Sequence, residues 1–227
     1  MSEIDESDYI SIKVVLLGET TVGKTSIITR FTTNAFEEHV LSTNGSNFTT
    51  EKIELDNNNK VKLQIWDTAG QEKFRSLAKL FYQSASVVML VYDITNENSF
   101  LAIKDYWSNE IKNNCSENVI IAIVANKNDE YLKQTVPTED GKELAKKLNA
   151  IFVSTSAKSG IGIENLFRTV AEKYLDPTKD ISNTYINREE IKEKNKNISL
   201  EEIKKKISND TKSSKDKKKK KNKCCSH

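Results

Sequence analysis

The 227-residue sequence contains little of what disulfide-bonded or membrane-spanning proteins are built from. It has three cysteines, two of them adjacent, which is too few for a disulfide framework. No run approaches about 18 consecutive apolar residues, so no transmembrane helix is expected. The first residues are acidic and lack the apolar segment of a secretory signal, and Ser2 stands where N-myristoylation needs glycine. We therefore expect a protein of the reducing cytosol.

Net charge is also small, but its distribution along the chain is uneven. The whole sequence has 35 basic and 33 acidic side chains, for a formal net charge of +2. Residues 1–175 have a net charge of −5, whereas residues 176–227 have a net charge of +7. The acidic body gives no reason to expect a nucleic-acid partner, and the basic tail needs an explanation of its own.

Apolar runs alternate with amphipathic stretches through most of the body. Continuous apolar, β-branched runs are typical of parallel strands that are covered on both faces, and they lie at residues 14–17, 87–92, 119–124 and 151–153. Helices are predicted at residues 26–31, 100–111, 138–148 and 161–174. The alternation predicts a doubly wound α/β fold with helices on both faces of the sheet.

One segment departs from this alternation. Between residues 53 and 65, apolar and polar residues alternate on either side of the Asn-rich residues 56–59. A period of two around such a turn is typical of a β-hairpin with one buried face. We therefore expect the second and third strands to form an antiparallel pair at one edge of the sheet.

The composition predicts three parts of the chain. Residues 1–10 form an acidic, flexible N-terminus, and residues 11–176 form one domain. Residues 177–227 are rich in Lys, Asn, Glu and Ser, with no aromatic residue after Tyr185, so they cannot bury enough apolar surface to offset the entropy of ordering. We expect this part to be a flexible basic tail.

A phosphate-binding loop follows the first predicted strand. Residues 18–25 match the pattern G-x-x-x-x-G-K-S/T between a strand and a helix, which is the context the motif needs. The glycines allow consecutive backbone amides to point at phosphate oxygens, the lysine can reach the β- and γ-phosphates, and the final hydroxyl can bind Mg²⁺. The candidate residues are Gly18, Glu19, Thr20, Thr21, Val22, Gly23, Lys24, Thr25 and the neighbouring Ser26.

The third predicted strand is followed by three residues that are suited to the γ-phosphate side of such a site. Asp67 at the strand end can hold Mg²⁺ through water, and Gly70 allows its amide to approach a γ-phosphate. Gln71 can orient an attacking water and is the candidate catalytic residue. The alternative is an ordinary loop of small and polar residues.

Two further motifs select the base of the nucleotide. The Asp129 carboxylate can accept hydrogen bonds from N1 and the exocyclic amine of guanine, whereas adenine would leave it unpaired. The Ala157 amide can donate to O6 of guanine. These residues belong to N-K-x-D and S-A-K motifs after the fifth and sixth strands, which contribute Asn126, Lys127 and Asp129 and then Ser156, Ala157 and Lys158.

With these motifs in order, the chain resembles the Ras superfamily of small GTPases and, within it, the Rab proteins. The resemblance covers residues 11–175 and returns at the cysteine pair. It implies the P-loop NTPase fold, with five helices around a six-stranded sheet, five strands parallel and one antiparallel. It also implies GDP and GTP as ligands, Mg²⁺ as cofactor, and hydrolysis of GTP to GDP and phosphate.

The resemblance also assigns the switch residues. Thr43 is the switch I threonine, and with Thr25 and Asp67 it completes the expected Mg²⁺ ligands. Phe36 is the aromatic residue expected against the guanine ring, with a core position at the end of a helix as the alternative. Residues 67 to about 82 correspond to switch II. The two loops are expected to be held when γ-phosphate is present and released on hydrolysis.

Rab proteins carry three aromatic residues that form an effector surface between the switches. Phe48, Trp66 and Phe81 occupy those places here, and ordinary packing at the sheet edge is the alternative.

Two positions depart from the family pattern. Asn44 and Gly45 follow Thr43 where an apolar residue is usual, which leaves the choice of effector open. Thr20 places a side chain near the expected γ-phosphate, and with no arginine placed to assist in cis, we expect slow hydrolysis that depends on an activating protein.

The tail ends in a lysine run followed by Cys224 and Cys225. A cysteine pair so placed resembles the double geranylgeranylation signal of Rabs, and two lipid chains give stable membrane attachment where one does not. Lysines add attraction to anionic lipid. A solvated charge run and a nucleic-acid patch are the alternatives; the absence of interleaved aromatic residues disfavours the second.

The sequence therefore predicts a Rab-type GDP/GTP switch in vesicle traffic, endosomal by closest resemblance. Expected partners are an exchange factor, an activating protein, effectors, a GDP-dissociation inhibitor and a prenylation escort protein. We expect a monomer on the cytosolic face of endomembranes, with a cytosolic GDP-bound pool and no nucleic acid. Two alternatives are a scaffold that binds nucleotide without cycling, and a metabolic P-loop kinase or ATPase, against which Asp129 argues.

Overall fold

A computed structural model describes residues 8–38, 43, 45–56, 58–70 and 75–179 of the chain. Four positions with predicted roles or departures lie outside these ranges, and they are Asn44, Gln71, Cys224 and Cys225. The tail beyond residue 179 and most of the predicted N-terminal segment also lie outside the described residues.

The described residues contain six strands that form a single sheet. The strands are β1 (Ile10–Leu17), β2 (Ser46–Glu54), β3 (Lys60–Thr68), β4 (Val87–Asp93), β5 (Ile120–Asn126) and β6 (Ile151–Ser154). Their order is β2-β3-β1-β4-β5-β6. Only β2 with β3 is an antiparallel pair, and the other four pairings are parallel. The predicted fold class, including the antiparallel pair at one edge, is confirmed.

The helices are α1 (Lys24–Thr33), α2 (Arg75–Tyr82), α3 (Glu97–Ala102), α4 (Ser108–Asn114), α5 (Thr138–Lys147) and α6 (Ile163–Leu175). A π-helical turn, Ile103–Trp107, joins α3 directly to α4, so these form one continuous helical unit. A short 3₁₀ helix, Asn128–Lys133, follows β5. The described part of the chain thus contains the five α-helical units that the family resemblance implies. None of its helices has both the length and the apolar character that a membrane span requires.

The core has two parts, one on each face of the sheet. Alternate residues of β1 show the division: Val14 and Leu16 belong to the cluster with α1 and α6, whereas Val15 and Leu17 belong to the cluster with α2 to α5. All four side chains are fully buried. Because both faces are covered, a central strand must be apolar at every position, which explains the continuous runs in the sequence.

The structure differs from the sequence-based boundaries in a few places. The helix expected at residues 100–111 begins at Glu97, where the Asn96 side chain accepts a hydrogen bond from the Ser99 amide (3.4 Å). The π-turn inside it holds one more residue per turn than an α-helix, and it leaves no distinct periodicity in so short a segment. Helix α2 was not predicted, although its sequence has apolar pairs at helical spacing, Leu77 with Phe81 and Ala78 with Tyr82.

Candidate functional site

The predicted site residues that the structure describes lie at the carboxyl ends of the parallel strands. The first phosphate-loop residue follows β1, Asp67 lies near the end of β3, and the two base-selecting motifs follow β5 and β6. In a doubly wound sheet, the loops that follow the carboxyl ends of different strands converge, and ligands bind there. Residues that are more than 100 positions apart in the sequence therefore share one site.

The phosphate loop, residues 18–25, depends on its two glycines. Both have positive φ, +145° at Gly18 and +95° at Gly23. A side chain at Gly18 would collide with the carbonyl oxygen of Val91, and one at Gly23 would collide with the Asn126 amide. The tight turn and the close approach of neighbouring backbone both require glycine at these positions. The loop therefore has the curled backbone that the motif predicts.

Lys24 lies inside this loop. Its ammonium donates to the carbonyl oxygens of Gly18 and Glu19, each at 2.9 Å, and the residue is 5% exposed. Burial lowers the pKa of Lys24 from its ordinary value of 10.5 to about 8, although the charges of Asp67 and Glu19 oppose the shift. Burial of the ammonium costs desolvation free energy, which the loop carbonyls offset only in part. An anionic phosphate bound beside Lys24 would offset the rest and stabilise the charged form.

Thr25, Thr43 and Asp67 come together beside the phosphate loop. The Thr25 hydroxyl donates to Asp67 Oδ2 at 2.7 Å, and the Thr43 hydroxyl donates to the same oxygen at 3.3 Å. The two hydroxyl oxygens are 2.9 Å apart. Asp67 is 3% exposed, and its desolvation raises the pKa of the carboxyl, which the hydrogen bonds and Lys24 oppose.

This donor set fits Mg²⁺. The second carboxylate oxygen, Asp67 Oδ1, is buried, and no hydrogen-bond donor from the described part of the chain reaches it. An oxygen without a partner beside two hydroxyls is suited to a hard cation that binds through one or two side chains and keeps several waters. Within the described ranges, no three His, Cys, Asp or Glu side chains cluster, so a metal centre of that other type is not found there.

Gly70 brings the segment after β3 against the phosphate loop. A side chain here would lie 2.5 Å from the backbone of Glu19 and Thr20, so the two loops touch through their main chains. The Ala69 amide donates to the Gly45 carbonyl oxygen at 2.8 Å, which joins the same segment to the one that contains Thr43. Both predicted switch segments therefore meet at the phosphate loop, and Gln71 follows directly outside the described residues.

A cleft of about 310 Å³ opens next to the phosphate loop. Its lining contains most of the predicted base-binding residues, together with Thr21, Gly23 and Ser26 of the phosphate-loop region. These base-binding residues are Phe36, Asn126, Lys127, Asp129, Ala157 and Lys158. Phe36 is half-buried and also packs against the core, so the two interpretations of this residue both describe part of its surroundings.

Hydrogen bonds fix the two base-selecting motifs to each other and to the phosphate loop. The Asn126 side chain donates to the Val22 carbonyl oxygen at 2.8 Å and accepts from the Ala157 amide at 3.3 Å. The Ser156 hydroxyl donates to Asp129 Oδ1 at 2.6 Å. The second carboxylate oxygen of Asp129 lies outside this bond, and the fully buried Ser156 is placed to orient the carboxylate rather than to meet a ligand.

Two residues at this site were missed by sequence reasoning. Asp93 ends β4, is 6% exposed, and forms an ion pair with the Lys127 ammonium at 2.7 Å. Arg30 of α1 donates to the carbonyl oxygens of Ala157 and Lys158. An acidic residue at the carboxyl end of a buried strand was a usable signal for Asp93. Nothing local marks Arg30 for this site, because the two site carbonyls that it contacts lie more than 120 residues away in the sequence.

The three predicted effector residues form one contiguous aromatic surface, which consists of Phe48, Trp66 and Phe81. Phe48 and Trp66 are cross-strand neighbours on β2 and β3, and their ring centroids are 5.0 Å apart. The Phe81 ring of α2 also has its centroid 5.0 Å from that of Trp66. Phe48 is 53% exposed, so this end of the surface is open to solvent.

Comparison with known proteins agrees with this geometry. A model of the Ras family matches residues 13–176 of the chain. Ras-related protein Rab-31 from Homo sapiens is 42% identical over 174 residues, which cover 76% of this chain and 88% of the relative. Ras-related protein Rab-8A from Gallus gallus is 45% identical over 164 residues, which cover 72% of this chain and 78% of the relative.

Proposed function

Since the chain belongs to the Ras family, as a Rab-type GTPase that serves as a switch in vesicle traffic, we propose that its GTP-bound form recruits effectors to the cytosolic face of endosomal membranes. The observation that carries the proposal is the meeting of Thr25, Thr43 and Asp67. Thr43 precedes β2, and its hydroxyl contacts both the Thr25 hydroxyl and Asp67 Oδ2. Contacts to a γ-phosphate and its cation would favour this position, and hydrolysis would remove them.

Each part of the site has a separate task in the proposed cycle. Lys24 binds the β- and γ-phosphates, while Thr25, Thr43 and Asp67 are the residues that would hold Mg²⁺. When bound, this cation neutralises charge on the phosphate oxygens. Asp129 and the Ala157 amide select guanine, and the amides of residues 18–25 orient the phosphate chain for in-line attack.

Hydrolysis is proposed to depend on Gln71, which orients the attacking water. The support for this role is the order of Asp67, Gly70 and Gln71 after β3, together with the close approach of the Gly70 backbone to Glu19 and Thr20. The sequence has no arginine between Phe31 and Phe74, so no finger is supplied by the switch I segment. We expect intrinsic turnover on the order of 10⁻⁴ s⁻¹ and acceleration of roughly 10³ to 10⁵-fold by an activating protein.

Single-turnover hydrolysis by a Gln71→Leu variant tests this role. Leucine cannot hydrogen-bond water, so phosphate release should slow by on the order of tenfold or more while GTP affinity stays the same. Gln83→Leu, at an exposed glutamine just after α2, is the matched control and should hydrolyse like the unaltered protein. An unchanged rate in Gln71→Leu would remove Gln71 from the mechanism.

Membrane attachment is proposed to use prenyl groups on Cys224 and Cys225. The support is their position after a lysine run in a segment of net charge +7, because two lipid chains and a basic segment together give stable attachment. A GDP-dissociation inhibitor and a prenylation escort protein are then required partners, as are an exchange factor and an activating protein. A double Cys224→Ser, Cys225→Ser variant should leave the membrane pellet, whereas Cys115→Ser should stay in it.

The endosomal assignment rests on the resemblance of residues 14–25 and 77–100 and of the ending CCSH to endosomal Rabs. Imaging of the Gln71→Leu protein against organelle markers tests it. Location on endosomes is the expected result, and exclusive location on another organelle would overturn the assignment without affecting the GTPase cycle.

A further inference from the structure

Arg30 of α1 makes an unusual set of contacts. Its guanidinium donates three short hydrogen bonds to backbone carbonyl oxygens: to Ala157 at 2.8 Å, to Lys158 at 2.7 Å and to Asn34 at 2.7 Å. It also contacts the Asn34 side-chain oxygen at 3.3 Å. The planar fork of arginine presents its donors in a fixed arrangement, so one side chain can hold several separate acceptors at once.

The first two contacts hold the backbone that faces O6 of the base. The Ala157 amide, which is the expected donor to O6, donates a long hydrogen bond of 3.3 Å to the Asn126 side-chain oxygen in the structure. Arg30 holds the carbonyl group of the same residue and of the next one. The backbone at Ala157 is thus held from both sides, and the direction of its amide depends on both contacts.

The third contact reaches the segment that leads from α1 to Phe36. Asn34 ends α1 in a left-handed conformation (φ +53°), and its amide bonds back to the Arg30 carbonyl oxygen at 3.1 Å. Phe36, two residues later, lines the base cleft. Arg30 therefore links the segment that leads to Phe36 with the loop that contains Ala157.

The surroundings keep Arg30 in this position. Phe31 stacks on Phe167 of α6 with ring centroids 3.9 Å apart, which fixes the end of α1 against the last helix. The Arg30 side chain passes beside Gly160, where a Cβ would lie 3.6 Å from Arg30 Cδ. The Arg30 side chain is therefore already held in place in the folded protein. Little further side-chain entropy is lost at Arg30 when a nucleotide binds.

We propose that Arg30 is a positioning residue of the nucleotide site, which directs the Ala157 amide at O6 of guanine and thereby sets the residence time of the nucleotide. It touches neither base nor phosphate and acts through the backbone. The inference rests on guanine-nucleotide binding by the family and is independent of the organelle, the effectors and the role of Gln71.

The test is the release rate of ribose-labelled fluorescent GDP from the full chain, chased with unlabelled GDP. Arg30→Ala should release GDP on the order of tenfold faster, since hydrogen bonds to a charged donor are lost. Arg30→Lys should release GDP faster than the unaltered protein but more slowly than Arg30→Ala, because one ammonium cannot span all three carbonyls. Circular dichroism of the GDP-loaded proteins confirms folding, and Arg30→Lys carries the test if the alanine variant does not fold.

Two comparisons separate positioning from general loosening. Arg168→Ala is the matched control, because Arg168 lines the same 410 Å³ cavity as Arg30 but donates to Glu54 at the end of β2 and to Asp56 in the turn that follows. The rate of GDP release from Arg168→Ala should stay within about twofold of the rate from the unaltered protein. 6-Thioguanosine diphosphate keeps both donors to Asp129 but has a weak sulfur acceptor in place of O6. The Arg30→Ala substitution should therefore accelerate the release of this analogue clearly less than it accelerates the release of GDP.

The proposal is overturned by any of three results. These are GDP release from folded Arg30 variants at the unaltered rate, equal acceleration by Arg168→Ala, and equal acceleration of GDP and its 6-thio analogue in Arg30→Ala.

Discussion

The hydroxyl oxygens of Thr25 and Thr43 lie 2.9 Å apart, although the residues are 18 positions apart in the sequence and belong to different segments. Both hydroxyls also contact Asp67 Oδ2. The contact brings the segment before β2 to the start of α1 and to the end of β3. A switch needs a segment that contacts its site in one state and leaves it in another, and Thr43 has the position for this role.

Replacement of Thr25 by alanine should uncouple nucleotide binding from Mg²⁺. The variant loses a hydroxyl that contacts both Asp67 and Thr43, so GDP release in millimolar Mg²⁺ should become on the order of tenfold faster or more. Addition of a chelator should accelerate release from the unaltered protein but have little further effect on the variant. Fluorescent GDP release with and without chelator measures this.

Thr32→Ala is the control for that experiment. Its hydroxyl contacts only the Thr29 carbonyl oxygen of the same helix among the contacts described, at 3.4 Å. Release from this variant should keep its normal response to the chelator. If Thr25→Ala also responds normally, Thr25 is not a ligand.

Replacement of Asp129 by asparagine should change the preferred base. We expect the carboxylate to accept two hydrogen bonds from guanine, whereas an amide presents one donor and one acceptor, which suits the N1–H and the carbonyl at C2 of xanthine. GDP affinity should fall by on the order of 100-fold, and xanthosine diphosphate should become the tighter ligand. Competition binding measures the ratio, with Glu139→Gln, an exposed residue paired with Lys142, as the control. Retained preference for GDP would contradict the assignment.

The buried ammonium of Lys24 should affect stability at alkaline pH. Its pKa is about 8 in the folded protein and 10.5 ordinarily, so between these values the unfolded chain binds more protons than the folded one. The free energy of unfolding of the nucleotide-free protein should therefore rise with pH through this range, apart from other titrating groups. Urea unfolding of the unaltered protein and of Lys24→Met isolates the effect. The difference between their free energies of unfolding should change as the pH rises from about 8 to 10.5. A constant difference would contradict it.

Phe48 should contribute to partner binding more than to folding. It is 53% exposed on the aromatic surface, so Phe48→Ala should lower the melting temperature by only a few degrees. Exposed aromatic residues at an interface are frequent hot spots, and affinity for a GTP-dependent partner should fall by roughly 30-fold or more. Leu132→Ala, at a leucine that is 87% exposed on the 3₁₀ helix, should leave affinity unchanged. Equal loss in both variants would deny the aromatic surface a specific role.

Local motifs allowed much of the fold and site to be predicted. Gly18, Lys24 and Asp129 were recognisable because their chemistry requires certain residue types at fixed spacing next to a strand. Asp93 offered a signal, as an acidic residue at the carboxyl end of a buried strand, but its partner Lys127 is brought to it only by the tertiary fold. Arg30 offered none, because its distant partners are carbonyl groups, which every residue possesses. The π-turn at Ile103–Trp107 was equally hidden, because one extra residue in a helix hardly alters the apolar pattern.

The most direct test of a GTP-driven switch combines chemistry and conformation in one single-turnover experiment. Trp66 lies between Phe48 and Phe81 and is half-buried, whereas Trp107 is 2% exposed and can be replaced by phenylalanine to leave one reporter. With GTP bound, Trp66 fluorescence and phosphate release should follow the same rate constant, and Gln71→Leu should slow both together. Phosphate release without any change at Trp66, or no GTP hydrolysis at all, would contradict the switch.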